Sequence, residues 1–159
     1  MIILSGIPGA GKSTILKEIN KHYKHKAVIA SKDSLRFWIL TSDETGVYFD
    51  PNIEITVKRM LEIQIQSALF NNQTVIIDET NVSVNSRLEY IDMAISANYE
   101  VVIHQFSNFR QAKKRNSLRK RKVPQNVMER KIRKYEVFSL FEKAIALNQG
   151  IDIGCIRYE

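Results

Sequence analysis

The apolar positions of this chain fall into short continuous runs alternating with stretches of helical period. Met1–Ser5 (MIILS) is an apolar run that stops at a glycine loop, the form of a buried central strand. Lys12–Tyr23 follows with Ile15, Leu16 and Ile19 on one helical face, and Ala27–Ala30 reads as a second strand. Leu35–Leu40 predicts a short helix, and the polar stretch Thr41–Pro51, with Gly46 and Pro51, a loop. Asn52–Asn71 is a long amphipathic pattern whose Ile53, Val57, Met60, Leu61 and Leu69 form a core face. Thr74–Asp78 (TVIID) and Val101–Phe106 are predicted strands on either side of a helix, Val84–Ala97. Gln111–Lys120 and Gln125–Leu147 predict two further helices separated by Val123-Pro124, and Ile151–Arg157 a closing strand.

Strands that alternate with helices imply right-handed crossovers. The expected architecture is an α/β three-layer sandwich with a central parallel sheet of about five strands and a helical lid. No repeat or linker divides the 159 residues, so one domain over residues 1–159 is expected.

Composition changes this picture little: 44% apolar and 26% charged residues are ordinary for a globular protein. No apolar run approaches the roughly 18 residues of a spanning helix, and Met1 opens directly into a strand without a leader. With a single cysteine, Cys155, no internal disulfide forms, and the cytoplasm is the expected compartment. Cys155 itself reads as a small buried hydrophobe.

Charge changes it more. Between Arg110 and Lys134 stand twelve Lys or Arg and one acid, Glu129, a local +11 within an overall +7, so the remaining residues carry −4. A basic segment on a mildly acidic body faces phosphate, unless it is simply a solvated helix face.

The candidate chemistry begins at Gly6-Ile7-Pro8-Gly9-Ala10-Gly11-Lys12-Ser13, which fits G-x-x-x-x-G-K-[ST] at every fixed position, after a strand and before a helix. Glycines let the backbone curl so that successive N–H groups point inward, an anion nest closed by the positive end of the next helix. Gly9, Ala10 and Gly11 would cradle a nucleoside triphosphate, Lys12 reach its β- and γ-phosphates, and Thr14 lie near the α-phosphate. The Ser13 hydroxyl would ligate Mg²⁺.

Acids at strand ends are the next candidates, since ligands of open parallel sheets bind beyond the carboxyl ends of the strands. Asp33 follows the second strand with Arg36 three residues on; it is either a base for an attacking hydroxyl or an N-cap. Asp78, with Glu79, Thr80 and Asn81 after it, either holds Mg²⁺ through water or ends a strand in a turn. Arg87 either points back to this corner or lies in solvent. Arg115 and Arg119, at i and i+4, would swing over the phosphates from one face of the lid, spanning about residues 110–134. Lys120, Arg121, Lys122, Arg130, Lys131, Arg133 and Lys134 exceed what one triphosphate needs; they suit an RNA or DNA acceptor or are ordinary surface. His22 and His25 lack a third metal ligand. Phe37, Trp38 and Tyr48 flank the acceptor side, where core packing is the expected role and stacking on a base the alternative.

Four blocks together resemble the 5′-hydroxyl polynucleotide kinase family, as in the kinase domain of phage-type polynucleotide kinase/phosphatase. They are GIPGAGKST (Gly6–Thr14), Asp33-x-x-Arg36, the strand into Asp78-Glu79-Thr80-Asn81, and Lys114-Arg115-Asn116-Ser117-x-Arg119 followed by Val123-Pro124. The resemblance implies Mg²⁺-dependent transfer of the ATP γ-phosphate to the 5′-OH of RNA or DNA, as in nucleic-acid end repair. By that analogy Asp33 is the general base and Arg36 contacts an acceptor phosphate, while Lys12 and Arg119 hold the donor phosphates with support from Arg115. Asp78, Glu79, Asn81 and Arg87 would line the substrate side. Asp78 and Glu79 both fit the acid of the third block. No phosphatase or ligase module follows in the sequence, so 3′-end processing is expected from a separate protein; a phage origin, with action in the host cytoplasm, and a homo-oligomer are both compatible. Two rivals stay open: a P-loop kinase for a small-molecule hydroxyl on a nucleoside, sugar or antibiotic, and a nucleic-acid-binding ATPase switch.

Overall fold

The structure, a computed structural model, describes residues 1–39, 50–119 and 122–159. Its centre is a parallel sheet of five strands: β1 (Ile2–Ser5), β2 (Val28–Ala30), β3 (Val75–Ile77), β4 (Val101–Phe106) and β5 (Ile153–Tyr158), in the spatial order β2-β3-β1-β4-β5. Ile2 of β1 registers with Ile76 on one side and Val102 on the other. Seven helices are described: α1 (Lys12–His22), α2 (Lys32–Ile39), α3 (Glu54–Phe70), α4 (Val84–Ser96), α5 (Phe109–Ser117), α6 (Gln125–Arg133) and α7 (Leu140–Asn148). A 3-10 turn, Pro51–Ile53, leads into α3. Among the described residues no helix is long and apolar enough to cross a membrane.

The continuous apolar strands are buried on both faces, because successive side chains point to opposite sides of the sheet. Ile3, Val75, Ile77, Val101, Ile103 and Ile153 meet α3, α4 and α7 in the main core. Ile2, Leu4 and Ile76 face the other way, onto Leu16 and Ile19 of α1. The connection from β1 runs to the edge strand β2, whereas that from β3 crosses to β4. The two leave in opposite directions, and their carboxyl ends therefore frame a crevice of the kind in which open α/β sheets hold ligands. A third apolar cluster lies above it: Ile7, Val82, Ala112 and Met128, with Phe109, Val123, Ile132 and Tyr135 against them. This cluster seats the basic helices α5 and α6 on the loop after β1.

Three expectations are corrected. Gln125–Leu147 is not one helix: α6 ends at Arg133 and α7 begins after Ser139, which forms a capping box with Glu142. The intervening chain is pinned by Gln105 of β4, whose amide donates to the Glu136 carbonyl at 3.0 Å and accepts from the Phe138 N–H at 3.0 Å. The core face of α3 is Val57, Leu61, Ile65, Ala68 and Leu69, with Met60 turned to solvent. Cys155 is half-buried on β5 rather than enclosed. The polar stretch expected as a loop over Thr41–Pro51 falls, up to residue 49, outside the described residues, as do Lys120 and Arg121 of the lid.

Candidate active site

The phosphate loop leaves β1 beneath the lid. Gly9 and Gly11 have φ of +83° and +108°, in the left-handed region that favours glycine. A Cβ on Gly9 would sit 2.5 Å from the Ala112 carbonyl oxygen, so the absent side chain is what lets α5 lie on the loop. A Cβ on Gly11 would lie 3.2 Å from an Arg115 guanidinium nitrogen, which places that arginine over the start of α1. Ala10 packs against the small apolar cluster below α5. Ser13 and Thr14, in the first turn of α1, line the crevice, a cleft of about 780 Å³.

Lys12 opens α1 and turns its ammonium back to the Gly6 and Ile7 carbonyls, at 2.8 and 3.1 Å. Burial pushes it down to about 8, against the opposing pull of Asp78. Arg119 and Lys131 lower it further. Cations thus crowd the cleft, and a polyanion would relieve their repulsion.

The opposite wall comes from β3 and α2. Asp78 and Glu79 both line the cleft, and burial raises both carboxyls. They face different ways. Asp78 feels Lys12 most strongly after burial and carries no side-chain hydrogen bond among the described residues. Glu79 accepts the Lys32 N–H at 2.5 Å, and so supplies an anion at the N-terminus of α2. That takes the capping role from Asp33, which lies inside the first turn of α2. The Asp33 side chain is 90% exposed toward the cleft and accepts from Arg36 at 2.6 Å. The same guanidinium forks onto both Glu54 oxygens at 2.7 and 2.8 Å. This bond raises Arg36 and lowers Glu54. Glu54 opens α3, and its part was not visible in sequence because the pattern there reads only as an amphipathic helix.

The lid supplies Arg115, Arg119 and Lys131 to the same cleft. Its turn is tied by Asn116, whose amide donates to the Val123 carbonyl at 2.9 Å and accepts from the Val123 N–H at 3.0 Å.

Two expected substrate-side residues belong elsewhere. Asn81 is buried at φ +41°; its amide donates to the Leu4 carbonyl at 2.9 Å, and its own carbonyl accepts from the Ser5 hydroxyl at 2.8 Å. It locks β1 to the turn after β3. Arg87 neither lies in solvent nor opens onto the cleft: it is 0% exposed and forked onto Glu142, also 0% exposed, at 2.6 and 2.9 Å. A buried guanidinium needs a carboxylate as close as this, and α7 supplies it. Phe37 and Trp38 are corrected in the other direction, being 50% and 78% exposed rather than packed in the core; Tyr48 lies outside the described residues. No group of three or more His, Cys, Asp or Glu side chains suited to a metal occurs among the described residues. Ser13 and Asp78 line the same cleft and carry oxygen donors of the kind Mg²⁺ takes alongside water and phosphate.

Known proteins share this fold. The family model of the AAA domain, AAA_33, matches residues 1–138. An L-seryl-tRNA(Sec) kinase of Methanococcus maripaludis is 28% identical over 141 residues, 86% of this chain and 52% of the relative. A chain of the Pnkp1/Rnl/Hen1 RNA repair complex superposes with a TM-score of 0.69 at 23% identity, over 84% of this chain and 42% of that one. A gluconokinase from Sinorhizobium meliloti 1021 superposes with a TM-score of 0.57 at 13% identity, over 98% of this chain and 81% of that one. The chain spans about half the length of the curated relative it matches. It belongs to the AAA domain family, AAA_33, with the five-stranded parallel sheet and phosphate loop of a P-loop kinase.

Proposed function

We propose that the protein is an ATP-dependent polynucleotide 5′-hydroxyl kinase. The observation that carries this reading is the exposed Asp33 carboxylate, held at 2.6 Å by Arg36 on the wall of the cleft that also contains the phosphate loop. The residues from 110 to 134 add a surplus of cations, which suits a chain of phosphates better than one small acceptor.

In the step proposed, the oxygen of the acceptor 5′-OH forms a bond to the γ-phosphorus as the bond from that phosphorus to the β,γ-bridging oxygen breaks. The hydroxyl proton passes to Asp33 and the bridging electron pair leaves with ADP. Lys12, Arg115 and Arg119 neutralise the donor phosphates, and Arg36 moves from its carboxylates to a phosphate of the acceptor strand. Mg²⁺, held by Ser13 and through water by Asp78, would spread the charge of the phosphate oxygens. Glu79 keeps α2, and with it Asp33, in place through the Lys32 N–H.

The similarity to a chain of an RNA repair complex supports repair of nucleic-acid ends, with a separate ligase or phosphatase acting beside this protein. A second reading, in which the acceptor hydroxyl is the aminoacyl group of a tRNA, draws on the relative that is an L-seryl-tRNA(Sec) kinase.

The test is transfer of label from γ-labelled ATP, with Mg²⁺, to RNA and DNA oligonucleotides ending in 5′-OH or 5′-phosphate, with seryl-tRNA alongside. Label confined to the 5′-OH strands is the expected result. Label on seryl-tRNA alone would replace this reading with the second. Transfer to neither would return the protein to a small-molecule kinase or an ATPase switch.

A further inference from the structure

The basic segment of the lid is not uniform. Arg130, Arg133 and Lys134 are exposed and stand away from the cleft wall, whereas Lys131, between them on α6, lines it. Helical geometry separates them: Met128 is buried in the small apolar cluster and fixes α6, and this turns Val127 and Lys131, at i and i+4, into the cleft.

The Lys131 ammonium donates to the Thr80 hydroxyl at 2.8 Å. Thr80 in turn accepts the Gly6 N–H through its carbonyl at 2.7 Å, and the Lys12 ammonium donates to the Gly6 carbonyl at 2.8 Å. Two ammonium groups from different elements therefore flank one junction, Gly6 against Thr80. Each is hydrogen-bonded there only to neutral oxygens. Glu79 attracts Lys131, but that carboxylate is already bonded to the Lys32 N–H. Burial lowers Lys131 against the pull of Glu79. Like charges brought together in a half-buried cleft cost free energy unless an anion lies between them.

The position also says which phosphate. Gly9, the residues from Gly11 to Thr14 and Arg115, which lies close to Gly11, line the cleft at the start of α1. Lys131 enters the same cleft at the Gly6–Thr80 junction, which the Lys12 ammonium, the group of the loop suited to the β- and γ-phosphates, also flanks. We propose that Lys131 exchanges the Thr80 hydroxyl for an oxygen of the ATP γ-phosphate and stays with the phosphoryl group during transfer. The inference rests on the reading that the cleft binds ATP, and it is independent of the identity of the acceptor.

The experiment is titration calorimetry of Mg-ATP and Mg-ADP, without acceptor, on the parent protein and on Lys131→Met and Lys131→Arg. For Lys131→Met, ATP affinity is expected to fall about 10–100-fold while ADP affinity stays within about twofold, the loss of one charge-assisted contact. Lys131→Arg restores most of the preference for ATP. Unchanged ATP affinity, or equal losses for ATP and ADP, would overturn the assignment. So would a raised KM for the oligonucleotide with the ATP preference intact, since the lysine would then serve the acceptor. If the ATP preference collapses in Lys131→Met while the parent labels no 5′-OH end, the γ-phosphate contact stands and the acceptor reading fails.

Discussion

Two arginines of this protein make the same fork with opposite surroundings. Arg87 bonds both oxygens of Glu142, and its third nitrogen reaches the Glu136 carbonyl at 3.0 Å and the Asn81 carbonyl at 3.2 Å. Glu142 also accepts from the Ser139 N–H and hydroxyl, so the pair is closed, with both charged side chains fully buried. Arg36 forks onto Glu54 in the same way, but its third contact goes to Asp33, whose side chain is 90% exposed. One guanidinium is enclosed by protein on every side, and the other shares a carboxylate with a ligand cleft. The pairing of charges is therefore no guide to role; what separates them is whether a partner can be exchanged for something arriving from solvent. Arg87 ties α4 to α7 across the main core, while Arg36 meets an exposed carboxylate on the wall of the cleft.

The largest effect is expected from breaking the closed pair. Arg87→Met leaves a buried Glu142 without its partner and should lower unfolding free energy in urea by about 3–5 kcal/mol, most of which the double variant Arg87→Met/Glu142→Leu should recover. A loss below about 1 kcal/mol, the size of a surface pair, would mean that the two arginines do not differ in this way. Asp33→Asn probes the open cluster. Phosphoryl transfer should fall on the order of 10²–10⁴-fold with ATP affinity and melting temperature held, as expected for a lost general base. Undiminished transfer would remove Asp33 from the chemistry.

Lys12 sharpens the comparison with the smallest effect. It is a cation held by two carbonyls and no carboxylate, and its burial lowers it from 10.5 to about 8. Between those values the unfolded chain binds the extra proton, so the free protein gains stability from Lys12 as pH rises through this window and loses it as pH falls through about 8. Phosphate draws the pKa back up. ATP affinity should thus be level below about pH 8 and decline above it, by at most about tenfold per pH unit, with proton uptake on binding. Calorimetry in buffers of different ionisation enthalpy would register that uptake.

The features that were legible in sequence are those set by neighbours along the chain. The strands β1, β3 and β4 are short apolar runs, and the phosphate loop is a contiguous motif whose Gly9 and Gly11 sit where the backbone needs positive φ. The features that were not legible depend on contacts distant in sequence. Glu54 joins Arg36 from α3, Glu142 reaches Arg87 from α7, and Gln105 interrupts what periodicity alone reads as one long helix. Lys131 looked like its neighbours because a run of basic residues carries no record of which ones a buried Met128 turns inward. Phe37 and Trp38 misled for the reverse reason, since aromatic character suggested burial on a helix that has no buried residue.

The placement of β1 sets the order in which the molecule can be built. The strand made first lies in the middle of the sheet, paired through Ile2 with Ile76 and with Val102. During synthesis it has neither neighbour until β3 and then β4 have emerged, and the loop that follows it has no lid until α5 and α6 are made as well. Pairings of such long range are slow to close. The nucleotide site is accordingly one of the last parts of the nascent chain to take shape, and the apolar run of β1 stays unpaired until β3 has emerged.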